Sequence, residues 1–411
     1  MISQIAGLGV CFCFFLVLPS STGTSLNAKG KTFTLHQTAV PRARPWFAAK
    51  SVKDTHLKYQ LRVPIEIENA LSQEIPPNQT SVSARPGTRT DQMYVVNVQV
   101  GGQNMTLDLD TGSSDLWVVS SLLPSTQKAT RPASRLYDPN GKTARRLDGH
   151  SFMISYGDQS YAKGQVYLDR VAVGDLVVPN QAVEVATSMA TKFVVETGHD
   201  GLFGFAASAK NSVSPKSQLT WFDNIRPTLA QPVFTCSLKR HAVGSFDFGY
   251  IDKAKYRGDI VWSNVRGHRG YWDFNPTGFA IGDGEVHQAT FEAIADTGSS
   301  LWYLPRTIAD AYWKQVPGSS YSTAQGAFVF PCQSKLPEMT VIVSGQPVRV
   351  PGINMNYQTV SAGTCMGGIN RDFGMPFSIF GDAFLKGLFV VHEVPLKGQS
   401  RIGFAAQARS D

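Results

Sequence analysis

A chain of 411 residues can hold one large two-lobed domain or two to three ordinary ones, and its 42% hydrophobic content supplies ample core. The net charge of +7 sits mainly in one segment: residues 24–84 carry eight Lys/Arg against four acids (+4), residues 1–23 carry no charged side chain, and 85–411 hold the remaining +3. No Lys/Arg run of the kind that tracks phosphates appears, which excludes nucleic-acid binding. The eight histidines form no His-x-x-x-His pair or Cys/His cluster, which speaks against a metal centre, and no cofactor is called for. Charged residues are only 17%. A surface poor in carboxylates changes charge little as pH falls and suits an acidic medium.

The chain opens on an uninterrupted apolar run, Leu8–Leu18, followed by the small polar stretch Pro19-Ser-Ser-Thr-Gly23. This reads as a signal peptide over residues 1–23, although its first residues lack the usual Lys or Arg. The run is too short for a spanning helix, which needs ~20 apolar residues. The C-terminal tail, Arg401–Asp411, lacks the apolar segment of a lipid-anchor signal, so no membrane anchor is expected. Export implies an oxidising compartment. Cys11 and Cys13 leave with the signal, and at most one disulfide can form among Cys236, Cys332 and Cys365. Cys236 lies in a segment that reads as a buried strand, so Cys332 and Cys365 are the natural pair. Residues 24–84 are basic and poor in glycine. The turn-rich stretch across its C-terminal end, Ile75–Thr88, is suited to a processing cut.

From Gln92 onward apolar residues alternate at period two. Met93–Val100, Gly101–Asn104 and Met105–Leu109 read as a β-hairpin, and short strands recur at Phe152–Tyr156, Gln165–Leu168, Arg170–Val173 and Thr340–Val343. Helical patterns are few: Ser217–Asp223 and Ile308–Gln315. Two sequons, Asn78-Gln-Thr80 and Asn104-Met-Thr106, offer glycosylation sites, Asn104 at the hairpin tip being the better placed.

The informative feature is a long-range repeat. Leu109-Asp-Thr-Gly-Ser-Ser-Asp-Leu-Trp117 returns as Ala295-Asp-Thr-Gly-Ser-Ser-Leu-Trp302, with the aspartates 186 residues apart. Each copy is followed by a hydrophobic-hydrophobic-Gly element. The first ends at Gly204, 94 residues after Asp110, and the second at Gly381, 85 residues after Asp296. A single Asp-Thr-Gly is an ordinary turn. Two copies, each entered from an apolar strand, argue for two lobes that bring their aspartates together. A buried carboxyl pair cannot easily ionise twice, so it shares one proton. One carboxylate can then take a proton from a water while the other, protonated, polarises a carbonyl.

On these residues the chain, from about Gln92 to Gln407, resembles the pepsin family of aspartic endopeptidases, in the secreted fungal type related to penicillopepsin and aspergillopepsin. The resemblance implies an all-β, bilobal double-barrel fold with pseudo-twofold lobes (N-lobe about 91–250, C-lobe about 251–411) within a peptidase domain over 85–411. It implies catalysis by Asp110 and Asp296. Thr111 and Thr297 would lock the two loops together, Gly112 and Gly298 would shape them, and Ser113 and Ser299 would hydrogen-bond the aspartates. Ile154–Ser160 is similar to the family's flap. Tyr156 would bond toward the indole of Trp117, and Gly157 and Asp158 would offer main-chain bonds to an extended peptide. Asp158 with Ser160 implies tolerance of lysine before the cut, beside a preference for large hydrophobic residues. Residues 24–84 are similar to the family's propeptide, with Lys58 set against the aspartate pair and Tyr59 beside it. The implied partners are protein or peptide substrates and pepstatin-type inhibitors, and the implied state is a secreted monomer. Two rival readings are a catalytically inactive pepsin fold used for binding or inhibition, which intact aspartates, glycines and flap tyrosine disfavour, and a vacuolar processing protease.

Overall fold

Two parts of the chain repeat one local plan. In this computed structural model, which describes residues 31–39, 48–72, 94–128, 131–155, 161–195, 198–240 and 242–408, Gln103–Asp110 lies parallel to Gly201–Gly204, setting Asp110 beside Gly204. Leu116–Val118 runs antiparallel to that same strand. In the second half Ala293–Ala295 lies parallel to Ser378–Phe380, and Trp302–Leu304 runs antiparallel to it. Each plan carries an aspartate out of fully buried apolar residues, Leu109 in one and Ala295 in the other.

A 13-stranded sheet passes through the middle of the molecule. Gly244–Phe248 pairs with Val233–Ser237, which pairs in turn with Leu388–Glu393, Arg401–Gln407 and Tyr256–Asn264. On its other side Gly244–Phe248 takes Phe33–Ala39, with Leu35 opposite Phe246. That strand continues to Tyr94–Val100 through Thr38 and Ala39. The basic N-terminal segment therefore supplies a central strand, a role that composition did not reveal.

The same segment forms two helices, Ala48–Lys58 and Ile65–Ser72. Isolated helices this short are marginal in water, so packing must hold them. Ala49 and Val52 of the first helix, Ile67 and Ala70 of the second, each pair three residues apart, and Val63 between the helices are buried against Ile294, Leu301, Tyr303, Met366 and Ile379 of the second lobe. The chain is thus mostly β and bilobal, as expected, with this helical strap across one lobe.

Several element boundaries differ from the sequence reading. The helix expected over Ser217–Asp223 is Trp221–Ile225, because the Thr220 hydroxyl accepts the Asp223 amide at 3.2 Å and fixes the start there. The later helix spans Arg306–Lys314. The strands expected at Gln165–Leu168 and Arg170–Val173 are one strand, Tyr161–Val173. The hairpin turn holds only Gly101 and Gly102, both at positive φ, so Asn104 is an exposed strand residue opposite Gln99 rather than the tip. Cys332 and Cys365 are disulfide-bonded, with Cα atoms 4.9 Å apart, and Cys236 is a buried free thiol. In the chain-entropy view, closing that loop stabilises the fold by roughly 3–4 kcal/mol.

Candidate active site

The two repeated loops meet between the lobes. The Thr111 amide donates to Thr297 Oγ1 at 3.1 Å and the Thr297 amide donates to Thr111 Oγ1 at 3.0 Å. Each hydroxyl then donates onward to the strand entering the opposite loop, Thr111 to the Ala295 carbonyl and Thr297 to the Leu109 carbonyl. Four bonds related by a pseudo-twofold axis leave the loops one relative position. A hydroxyl is needed at both threonines, because each must donate and accept at once.

Asp110 and Asp296 project side by side from these loops, and both are almost completely buried. The Gly112 amide donates to Asp110 Oδ1 at 2.8 Å and the Gly298 amide donates to Asp296 Oδ1 at 2.9 Å. The Ser113 hydroxyl donates to Asp110 Oδ2 at 2.6 Å, and the Ser299 hydroxyl donates to Asp296 Oδ2. The glycines are required by close approach. A Cβ on Gly112 would stand 2.4 Å from Asp296 Oδ1, and one on Gly298 would stand 2.3 Å from Asp110 Oδ1. Gly204 and Gly381 lie under the loops for a similar reason: a Cβ there would meet the backbone of Asp115 at 2.5 Å and of Ser299 at 2.3 Å.

Lys58 closes the site. Its ammonium donates to Asp110 Oδ1 at 3.0 Å and to Asp296 Oδ1 and Oδ2 at 2.9 and 2.8 Å, and its side chain is 13% exposed. The Tyr59 hydroxyl donates to Asp296 Oδ2 at 2.6 Å. The Tyr59 ring stands edge-on to Tyr271 and Phe377, with centroids 5.2 and 5.1 Å away. Burial pushes the Asp110 carboxyl above its ordinary range, against the pull of Lys58 and with the help of Asp296. Burial acts the same way on Asp296, but Lys58, Ser299 and Tyr59 outweigh it and hold that carboxyl at about 2. For Lys58, burial alone would favour the neutral amine, yet the two carboxylates raise its pKa. Lys58 is thus held as a cation between the two carboxyls. Two residues of the chain's own N-terminal segment therefore lie against the carboxyl pair.

The flap assignment is described only in part. Its first strand, Arg145–Ser155, pairs with Tyr161–Val173, while Tyr156, Gly157, Asp158 and Ser160 lie outside the described residues, as does Asn78. Trp117 is fully buried in Leu116–Val118, edge-on to Phe193. The sequence reading missed Tyr271, Phe377 and Lys210, which belong to no repeated motif. It also missed a buried carboxyl pair behind the first loop. Asp115 accepts the Ser212 amide at 2.7 Å and the Asn211 side chain at 3.0 Å, and Glu184 accepts the same Asn211 amide at 2.8 Å. A signal for it was present: Asp115 interrupts the first copy of the repeat and has no counterpart in the second.

A bilobal β-fold with two cross-bonded Asp-Thr-Gly-Ser loops defines the aspartic-protease class. Residues 93–407 match the family described as "Eukaryotic aspartyl protease", and the chain belongs to it. It is similar to Aspergillopepsin-1 of Aspergillus oryzae, 39% identical over 394 residues (96% of this chain, 97% of the relative). It is similar to Penicillopepsin-3 of Penicillium janthinellum, 41% identical over 388 residues (94% of each), and to Podosporapepsin of Podospora anserina, 40% identical over 407 residues (95% and 94%). The fold is shared with an aspartic proteinase from Irpex lacteus, at TM-score 0.63 and 22% identity, over 77% of this chain and 94% of that one. The chain is an acid aspartic-type endopeptidase that acts on peptide substrates.

Proposed function

We propose that the chain is the zymogen of a secreted aspartic endopeptidase in which Asp110 and Asp296 are the catalytic pair and residues 24–84 are an inhibitory propeptide. The observation that carries this reading is the grip of both carboxylates on Lys58, a residue of that segment. Alignments that cover 94–96% of this chain must run through most of the segment as well, which supports an ancestral rather than accidental placement. Among the described residues no helix is long and apolar enough to cross a membrane.

Once Lys58 and Tyr59 withdraw, two carboxyls remain in a buried site with fixed donors on their outer oxygens. Shared protonation of such a pair is a general property of aspartic-protease dyads. The ionised carboxylate draws a proton from water, which attacks the scissile carbonyl, while the protonated partner donates to the carbonyl oxygen. The resulting tetrahedral intermediate collapses as the nitrogen takes a proton, with no acyl-enzyme. The backbone of Gly157 and Asp158 would hold the substrate as an added strand. Cleavage is expected between large hydrophobic residues, with lysine tolerated before the cut through Asp158 and Ser160. A monomer, open to pepstatin-type inhibitors, completes the reading. The decisive assay is peptide cleavage at acid pH with and without pepstatin, comparing wild type with Asp296→Asn. Pepstatin-sensitive cleavage lost in the variant is expected; full activity in the variant would sink the reading.

A further inference from the structure

Beside the Tyr59 position the cleft wall is aromatic and its rim is cationic. Tyr271 and Phe377 face Tyr59, the Lys210 ammonium lies 4.4 Å from the centroid of the Tyr271 ring, and the Arg269 guanidinium lies 5.2 Å from that of Phe377. The two cations differ in what balances them. Arg269 donates to Glu292 at 2.8 Å, and His268 stands 3.3 Å from the same carboxylate, so Arg269 is neutralised within the protein. Lys210 has no anionic partner among the described residues.

Lys210 is also held in place. It ends the short 3-10 turn Ser208–Lys210, which is tied to the opposite loop where the Ala207 amide donates to the Gly270 carbonyl at 3.0 Å. Its stem lies on Gly270, where an added Cβ would come within 2.7 Å of Lys210 Cγ. A surface lysine normally spends its entropy in water. This one is laid across an aromatic wall of the cleft, and partial burial followed by the nearby Arg269 lowers its pKa.

We propose that Lys210 is a specificity residue that favours substrates with a carboxylate side chain within three residues of the cleaved bond, on the side of the dyad walled by Tyr271. The proposal rests on the dyad reading above, which fixes where the cleaved bond lies. The carboxylate supplies the missing counter-charge, and the exposed geometry sets the size of the effect. An ion pair at a wet rim gives about a twofold to fivefold preference.

The test uses the full chain after acid activation and peptide pairs that differ only by Glu against Gln, scanned across three positions on each side of the cut. The readout is the ratio of kcat/KM values within each pair. In wild type at pH 5, where a peptide glutamate is largely ionised, the ratio should exceed one at one or two adjacent positions. It should fall toward one as salt is raised and as pH drops below the glutamate pKa. Lys210→Gln should bring it to one, and Lys210→Arg should keep it. A wild-type ratio of one at every position, a ratio indifferent to salt, or a ratio retained in Lys210→Gln would overturn the proposal. Loss of all cleavage in Asp296→Asn, measured on the Gln peptides, tests the dyad separately. If Lys210→Gln does not fold, the salt and pH series on wild type still decide.

Discussion

Replacing Lys58 by methionine keeps most of the apolar stem and removes the ammonium from between the two aspartates. Three N–H···O contacts of 2.8–3.0 Å disappear. Breaking a buried ion pair costs about 3–5 kcal/mol. The lower figure applies here, because two abandoned carboxyls can relieve themselves by sharing a proton. About 3 kcal/mol corresponds to roughly a hundredfold rise in the population whose N-terminal segment is undocked. The assay is hydrolysis of a fluorogenic peptide by freshly purified full chain at pH 6, alongside the rate of its self-processing. Both should rise by about two orders of magnitude in Lys58→Met, and the zymogen should melt at a lower temperature. A variant as latent as wild type at pH 6, with unchanged processing, would refute the idea that this lysine is the latch.

His56 adds a pH dependence of docking above the range in which Asp296 titrates. It is buried, its Nδ1 is 2.9 Å from the Val52 carbonyl, and burial lowers its pKa below the ordinary 6.5. A group depressed in the docked form stabilises docking above its free pKa and loses that contribution as pH falls, so His56→Phe should self-process severalfold more slowly between pH 4 and 6 yet stay latent at pH 7. Faster processing of that variant at pH 5 would contradict the assignment. The Asp115–Glu184 pair works in the opposite sense. Burial raises both carboxyls, and for Glu184 the neighbouring Asp115 adds to it. A raised folded pKa gives stability that is complete at low pH and lost as pH climbs through it. Glu184→Gln should therefore flatten the fall in melting temperature between pH 4 and 7, and an unchanged slope would remove the pair from the account. Asp158→Thr should cut cleavage after lysine by at least tenfold and spare cleavage between hydrophobic residues; an equal loss of both would show that Asp158 sets no preference.

The helical strap shows why part of this molecule was hidden in its sequence. Ala49 and Val52, and separately Ile67 and Ala70, have a helical spacing, but so sparse a pattern carries little weight until the surface it covers is known. The strand Phe33–Ala39 likewise has no edge of its own to announce; its partners, Gly244–Phe248 and Tyr94–Val100, are far away in the chain. Lys210, Tyr271 and Phe377 come from three separate connections and meet only at the cleft.

The aspartate pair is legible in the repeated motif alone. A duplicated Asp-Thr-Gly-Ser, with its apolar entry strand and its downstream glycine, is a local pattern whose chemistry follows from residue types, and it pointed to Asp110 and Asp296, whereas the roles expected of Thr111, Thr297 and Lys58 came from the family resemblance. How the pair is held and what surrounds it emerge from the folded chain. The four threonine bonds that fix the aspartates, the second lobe that covers the strap and the Lys210 ammonium over the Tyr271 ring all depend on contacts between residues far apart in the chain. Such contacts leave no periodic or spacing signal for a reader of the sequence.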